Sequence, residues 1–180
     1  LRESFCTCSV HDAQPHVVFA TSTNGSVRIF DTREALTWHG SRPKTFVNPD
    51  RAEDGEYSAV TCHLSSIAVS PSGNYMIGRD VMSLVLWDLR KQGVVTTGSG
   101  GPTGGLPVCR WPLHPELGAH FENLYNTELL FDRFSAVFSS SGHVHTGSMD
   151  GGFISFDPVA SSSGHSTVVP AAEGAVPVGD

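Results

Sequence analysis

The chain has 180 residues, 39% of them hydrophobic, with 18 acidic against 11 basic side chains and a net charge of -7. That length allows a domain with a substantial core. The acidic balance argues against a general nucleic-acid binder, which needs a basic face to displace counterions from phosphates, and no run approaches the ~20 apolar residues that span a bilayer.

Neither nucleic acid nor membrane is therefore expected as a partner, and cationic proteins suit the charge better. Cysteines at 6, 8, 62 and 109 are too sparse for a disulfide framework, which favours a reducing, cytoplasmic setting, with the nucleus as the alternative. The sequence opens at Leu1 inside a strand-like stretch, so a truncated start is expected, and the lack of a signal peptide says little about targeting.

In chain order, residues 5–10 read as a strand, followed by HVVFATSTNGSVRIFD over 16–31, two β-type runs separated by a polar turn. An outer strand is expected at 45–47, inside a loop over 41–56 that carries Asp50, Glu53, Asp54 and Glu56. Ile67 and Val69 alternate before Ser70-Pro71-Ser72-Gly73, and GNYMIGRDVMSLVLWD follows over 73–88. Residues 93–105 are Gly-rich and read as a flexible linker. Beyond them come an outer strand at 108–113 and a short helix starting at Pro115, with Leu117, Phe121, Leu124 and Tyr125 on one face. Phe134, Ala136 and Phe138 alternate before Ser139-Ser140-Ser141-Gly142, and GHVHTGSMDGGFISFD closes the series over 142–157. Residues 159–180 are low-complexity Ser, Ala, Val and Gly, read as a disordered loop or tail.

Three of these segments share one template. Each ends in an aromatic residue and an Asp (Phe30-Asp31, Trp87-Asp88, Phe156-Asp157), and the offset from His16, Gly73 and Gly142 to that Asp is the same. Asn24-Gly25 and Asp150-Gly151 supply tight-turn chemistry at matching positions. The middle unit departs, because its turn acid Asp80 lies one residue further from the closing Asp and no glycine follows, so that turn should be shaped differently. Strand, turn, strand and aromatic-Asp is the ending of a WD repeat. The fold expected is all-β, about three four-stranded propeller blades over residues 1–158 with a short helix before the last. Since a closed propeller typically needs four to eight blades, a fragment is expected.

The middle unit carries a more specific resemblance. Ser72-Gly73, Tyr75-Met76, Arg79-Asp80, Ser83 and Trp87-Asp88-Leu89, then Leu124-Tyr125, Phe131-Asp132-Arg133-Phe134, Thr146-Gly147-Ser148 and Phe156-Asp157, resemble the B-type regulatory subunit of type 2A protein phosphatase. His11, Val27-Arg28 and Asp31 with Arg33 match more loosely. The resemblance covers residues 5–158 and implies blades from the C-terminal half of a ring of roughly seven. It also implies docking on a scaffold (A) subunit next to a separate catalytic (C) subunit, recruitment of phosphoprotein substrates, no catalysis in this chain and no cofactor. Carried over by position, the substrate groove would include Tyr57, Phe131 and Arg133, with Glu56 standing where the family has an aromatic residue. A scaffold role in another multiprotein complex is the alternative function.

Other polar groups invite chemistry but read as structure. His143-Val144-His145 puts two imidazoles on one strand face, and Cys6-Thr7-Cys8 lies near His11, yet neither set has the convergent third and fourth ligands of a metal site. Asp31, Asp88 and Asp157 recur at one repeat position, as turn acids do. Residues 98–105 lack the Lys-Ser/Thr of a phosphate-binding loop. A propeller enzyme would need carboxylates, histidines or a metal at the central channel, whereas the expected inner strands are apolar and Ser-rich.

Overall fold

A computed structural model describes residues 4–34, 44–47, 61–91, 105–128, 133–149, 151–158 and 166–169. Strands β1 (Phe5–His11), β2 (Gln14–Ser22), β3 (Ser26–Asp31) and β4 (Lys44–Val47) form the first sheet. The second holds β5 (Ser66–Val69), β6 (Tyr75–Arg79), β7 (Ser83–Asp88) and β8 (Cys109–Pro112), and the third β9 (Ala136–Phe138), β10 (Val144–Gly147), β11 (Phe153–Phe156) and β12 (Ser166–Val169). Every pairing is antiparallel between strands consecutive in the chain, so each sheet is a four-stranded meander.

Register decides which residues meet. Opposing Phe19 to Ile29 and Val27 to Phe46 places these four on one face of the first sheet. There they pack against Leu64, Ile67, Met76, Val85 and Trp87 of the second. On the reverse of the second sheet Ile77 opposes Leu86 and Leu84 opposes Trp111, and this face packs against Ala136, Val144, Ile154 and Phe156 of the third. The middle sheet is thus covered on both sides, and all of β7 is buried. Gly78 makes room for this packing, since a Cβ there would come within 2.9 Å of the Trp87 ring. Trp87 Nε1 also donates to the Val47 carbonyl across the sheet boundary at 3.4 Å.

The first strands of the sheets are neighbours, with β5 packed against both β1 and β9. Their starts lie at one end: Thr21 Oγ1, opposite the start of β1, donates to the Leu64 carbonyl just ahead of β5 at 3.2 Å, and the Ala136 amide at the start of β9 donates to Ser66 Oγ at 3.1 Å. At the other end, Ser70–Gly73 and Ser139–Gly142 form the same turn. In each, the glycine amide donates to the first serine's carbonyl, at 2.8 and 3.0 Å, with the glycine at φ 69° and 88°. A left-handed φ explains glycine at both positions.

The closing acids Asp31 and Asp88 grip the residue two further on. Asp31 accepts from the Arg33 amide and Nε, both at 3.0 Å, and from Nη2 at 2.7 Å, while Asp88 accepts from the Arg90 amide at 3.0 Å, Nε at 2.9 Å and Nη2 at 3.0 Å. Arg90 further lies over the Tyr75 ring at 5.3 Å. Asp157 is followed by Pro158-Val159, so no arginine stands two positions on.

One expectation needs correction. The tail expected over 159–180 contains a strand: residues 166–169 pair with β11 as the outer strand of the third sheet, and Thr-Val-Val supplies the β-branched residues such a strand favours. The helical stretch starts at Pro115 as expected, as a 3-10 turn (Pro115–His120) leading into α1 (Phe121–Asn126), and no residue of α1 is fully buried. Leu117, Phe121 and Leu124 are half-buried, and Tyr125 is 48% exposed. The expected linker 93–105 lies outside the described residues apart from Gly105, and so does the turn acid Asp150.

Replacing Trp87 with Ala should cost about 3–5 kcal/mol in urea unfolding, because the ring fills the joint between two sheets. The Arg33 hydrogen bonds hold the Asp31 carboxyl down at about 2. A carboxyl held lower in the folded than in the unfolded chain stabilises fully above the unfolded value and loses that effect as pH falls through the folded one. Acid unfolding of Asp31→Asn should accordingly be flatter between about pH 4 and pH 2 than that of the parent protein.

Candidate functional site

The end of the structure where β1, β5 and β9 begin also carries the hairpin turns between the second and third strands of each sheet and the α1 insert. The first of these turns is built around Asn24. Its Oδ1 accepts from Ser26 Oγ at 2.7 Å and from the Ser26 amide at 3.3 Å, and the hydroxyl of Ser22 also bonds to it. Gly25 follows at φ 74°, and a Cβ there would lie 2.7 Å from the Cys62 carbonyl.

The second turn reaches the same end by another route, as its sequence predicts. Asp80 carries the cap: one carboxylate oxygen accepts from the Met82 and Ser83 amides, and the other accepts from Ser83 Oγ at 2.7 Å. The Asp80 amide donates to the Ser83 carbonyl at 3.0 Å, and neither Val81 nor Met82 adopts a positive φ. No glycine is needed. Burial pushes the Asp80 carboxyl above its ordinary value, while Ser83 and Arg110, whose Nη2 stands 3.8 Å away, pull it back.

Arg79, the neighbour of Asp80, points elsewhere. It is 1% exposed and crosses to the third sheet, where Nη1 donates to the Gly147 carbonyl at 2.7 Å and to Thr146 Oγ1. Its guanidinium lies over the Phe134 ring at 4.7 Å. From the sequence Arg79 is only half of an unusual turn; the bridge goes unseen because its partners stand far along the chain and no local spacing marks them.

Of the three residues carried over as a groove, Arg133 is described and exposed, immediately before Phe134. Tyr57 and Phe131 lie outside the described residues, as do Glu56 and the acidic positions 50, 53 and 54. The charge of Arg133 is felt by Cys6 of β1 and by His63, just ahead of β5. Burial, and then its positive charge, depress the His63 imidazole below its usual value, and the same charge partly offsets the rise that burial imposes on the Cys6 thiol. Nothing in the sequence singles out His63. The segment ahead of β9 thus combines a Phe134 held against Arg79 with an exposed Arg133.

Elsewhere the polar groups serve packing. None of Cys6, Cys8, Cys62 and Cys109 is joined in a disulfide. The His145 ring meets Phe153 edge-on at 6.2 Å. Among the described residues, no group of three or more His, Cys, Asp or Glu could hold a metal ion.

Three antiparallel four-stranded sheets, packed face to face with their first strands adjacent and with recurrent turns and closing acids, are blades of a WD-repeat β-propeller. The chain is 27% identical over 159 residues to the protein phosphatase PP2A 55 kDa regulatory subunit of Drosophila melanogaster, covering 87% of this chain and 29% of the relative. It is 28% identical over 150 residues to the B beta isoform of the serine/threonine protein phosphatase 2A 55 kDa regulatory subunit of Arabidopsis thaliana, covering 82% and 27%. To the B-type regulatory subunit of protein phosphatase PP2A from Schizosaccharomyces pombe it is 23% identical over 154 residues, covering 85% and 31%. No protein-family model matches the chain. The resemblance read from the middle unit therefore extends over most of the chain, which spans less than a third of the length of these relatives.

The cap at Asp80 makes a sharp prediction. Asp80→Ala leaves the turn amides without their acceptor and should cost about 1–3 kcal/mol. Asp80→Asn keeps an acceptor oxygen and removes the buried charge, so its urea midpoint should lie much nearer the parent's.

Proposed function

We propose that the chain is part of a regulatory subunit of a type 2A serine/threonine protein phosphatase. In this reading it recruits phosphoprotein substrates by binding, while a separate catalytic (C) subunit performs the chemistry and a scaffold (A) subunit holds both. The similarity to 55 kDa regulatory subunits over 87% of the chain carries the proposal. An exposed Arg133 beside a ring-anchored Phe134 supports it, since a guanidinium on a fixed backbone loses little freedom when it pairs with a carboxylate or a carbonyl. Tyr57 and Phe131 complete the proposed groove by family position, and the acidic stretch 50–56 would steer cationic partners towards it. The proposed setting is the cytoplasm, with the nucleus as the alternative.

Affinity purification of the tagged full-length protein under gentle lysis should recover the scaffold and catalytic subunits. Their absence, with unrelated assemblies in their place, would overturn the reading. Arg133→Glu should leave both subunits attached and reduce recovery of recruited phosphoproteins by about tenfold, the effect of reversing one charge at a contact. Unchanged recovery would remove Arg133 from the groove.

A further inference from the structure

Arg79 fills its site in an expensive way. It is 1% exposed, and burial brings its guanidinium down to about 10. The adjacent Asp80 turns its carboxylate into its own hairpin, and Arg79 Nη2 has no partner among the described residues. An apolar side chain of similar volume would pack the same gap without taking a cation out of water, and such replacements are often neutral or stabilising.

What the guanidinium adds is direction. Nη1 donates to Thr146 Oγ1, and that hydroxyl in turn donates to the Ser135 carbonyl at 3.0 Å. Nη1 also holds the Gly147 carbonyl at 2.7 Å, and Gly147 is where a Cβ would come within 2.8 Å of the Phe134 ring. Phe134 is therefore seated between the face of Arg79 and the bare backbone of Gly147, while a two-step hydrogen-bonded chain fixes the next residue. Each bond in such a chain polarises the other. The residue on the other side of Phe134 is Arg133, which no comparable bond among the described residues ties down.

We infer that Arg79 is a positioning residue: stacked on Phe134 and linked through Thr146 to Ser135, it orders the segment ahead of β9 and so presents Arg133 at the end where the inner strands begin. The presentation of Arg133 to a substrate rests on the function proposed above, whereas the ordering of the segment does not.

Hydrogen–deuterium exchange on the full-length protein, read beside thermal melting, tests the inference. In Arg79→Met, amides of residues 133–138 should exchange roughly tenfold faster, reporting a local opening. Strand β2 should keep its parent rate and the melting temperature should stay within a few degrees. Phe134→Leu, which keeps the guanidinium and loses the ring, should loosen the same peptide, and Phe134→Tyr should not. Arg79→Met should also lose the phosphoproteins that Arg133→Glu loses while retaining the scaffold subunit. Unchanged exchange over 133–138 in both Arg79→Met and Phe134→Leu overturns the inference. Equal acceleration throughout the chain does so too, since Arg79 would then be ordinary packing. If 133–138 loosens while Arg133→Glu loses no phosphoprotein, Arg79 still orders the segment and the recruitment reading is the one that falls.

Discussion

A four-stranded sheet has two faces, and the middle sheet of this protein is covered on both by its neighbours. Along β7 the side chains alternate between the two interfaces, Leu84 and Leu86 into one cluster and Val85 and Trp87 into the other, none more than 1% exposed. Stability therefore comes from sheets covering one another, since an isolated sheet of this size would leave an apolar face in water. The other arrangements follow from that stacking. It brings the first strands side by side, fixes which turns share an end, and sets the Val47 carbonyl where the Trp87 indole can reach it.

Stacking by apolar contact alone leaves the sheets free to slide, and the polar bonds between them are directional. The first joint has Thr21 on the Leu64 carbonyl and His11, whose Nε2 lies 3.3 Å from the Pro71 carbonyl. The second has Ser66 with the Ala136 amide and Arg79 with the end of β10. Asp80 shows the same economy inside one blade, because a single carboxylate satisfies two amides and a hydroxyl in a turn without glycine. A buried carboxylate suffers desolvation, and the bonds it accepts are what make the site tolerable.

The repeat was legible because period-two alternation and the recurrent aromatic-Asp ending are local properties of a chain. The first and second sheets, the turns at Gly73 and Gly142 and the odd turn at Asp80 could all be read from neighbouring residues. Strand β12 was hidden by its company, since four β-branched or small residues inside a Ser, Ala and Gly tract look like the tract. The helix was legible from Pro115 onward, although spacing at Leu117, Phe121 and Leu124 reports an apolar stripe but not how deeply it is sunk. Least legible was the candidate site. Arg79 ends β6 and bonds to the end of β10, while His63 and Arg133 precede β5 and β9, so no spacing in the sequence could link them.

The two ends of the strands differ in what they can tolerate. The chain leaves β7 at Asp88 and re-enters at Cys109, and it leaves β3 at Asp31 and re-enters at Lys44; all four positions lie at the end opposite Arg133. The acids that close β3 and β7 are clamped by Arg33 and Arg90, so each departure is locked before the chain moves away. Additions between those anchors lengthen one rim of the propeller while the other keeps its geometry. Such a molecule can be remodelled on one side, by insertion or by grafted sequence, with the Arg79 bridge left untouched.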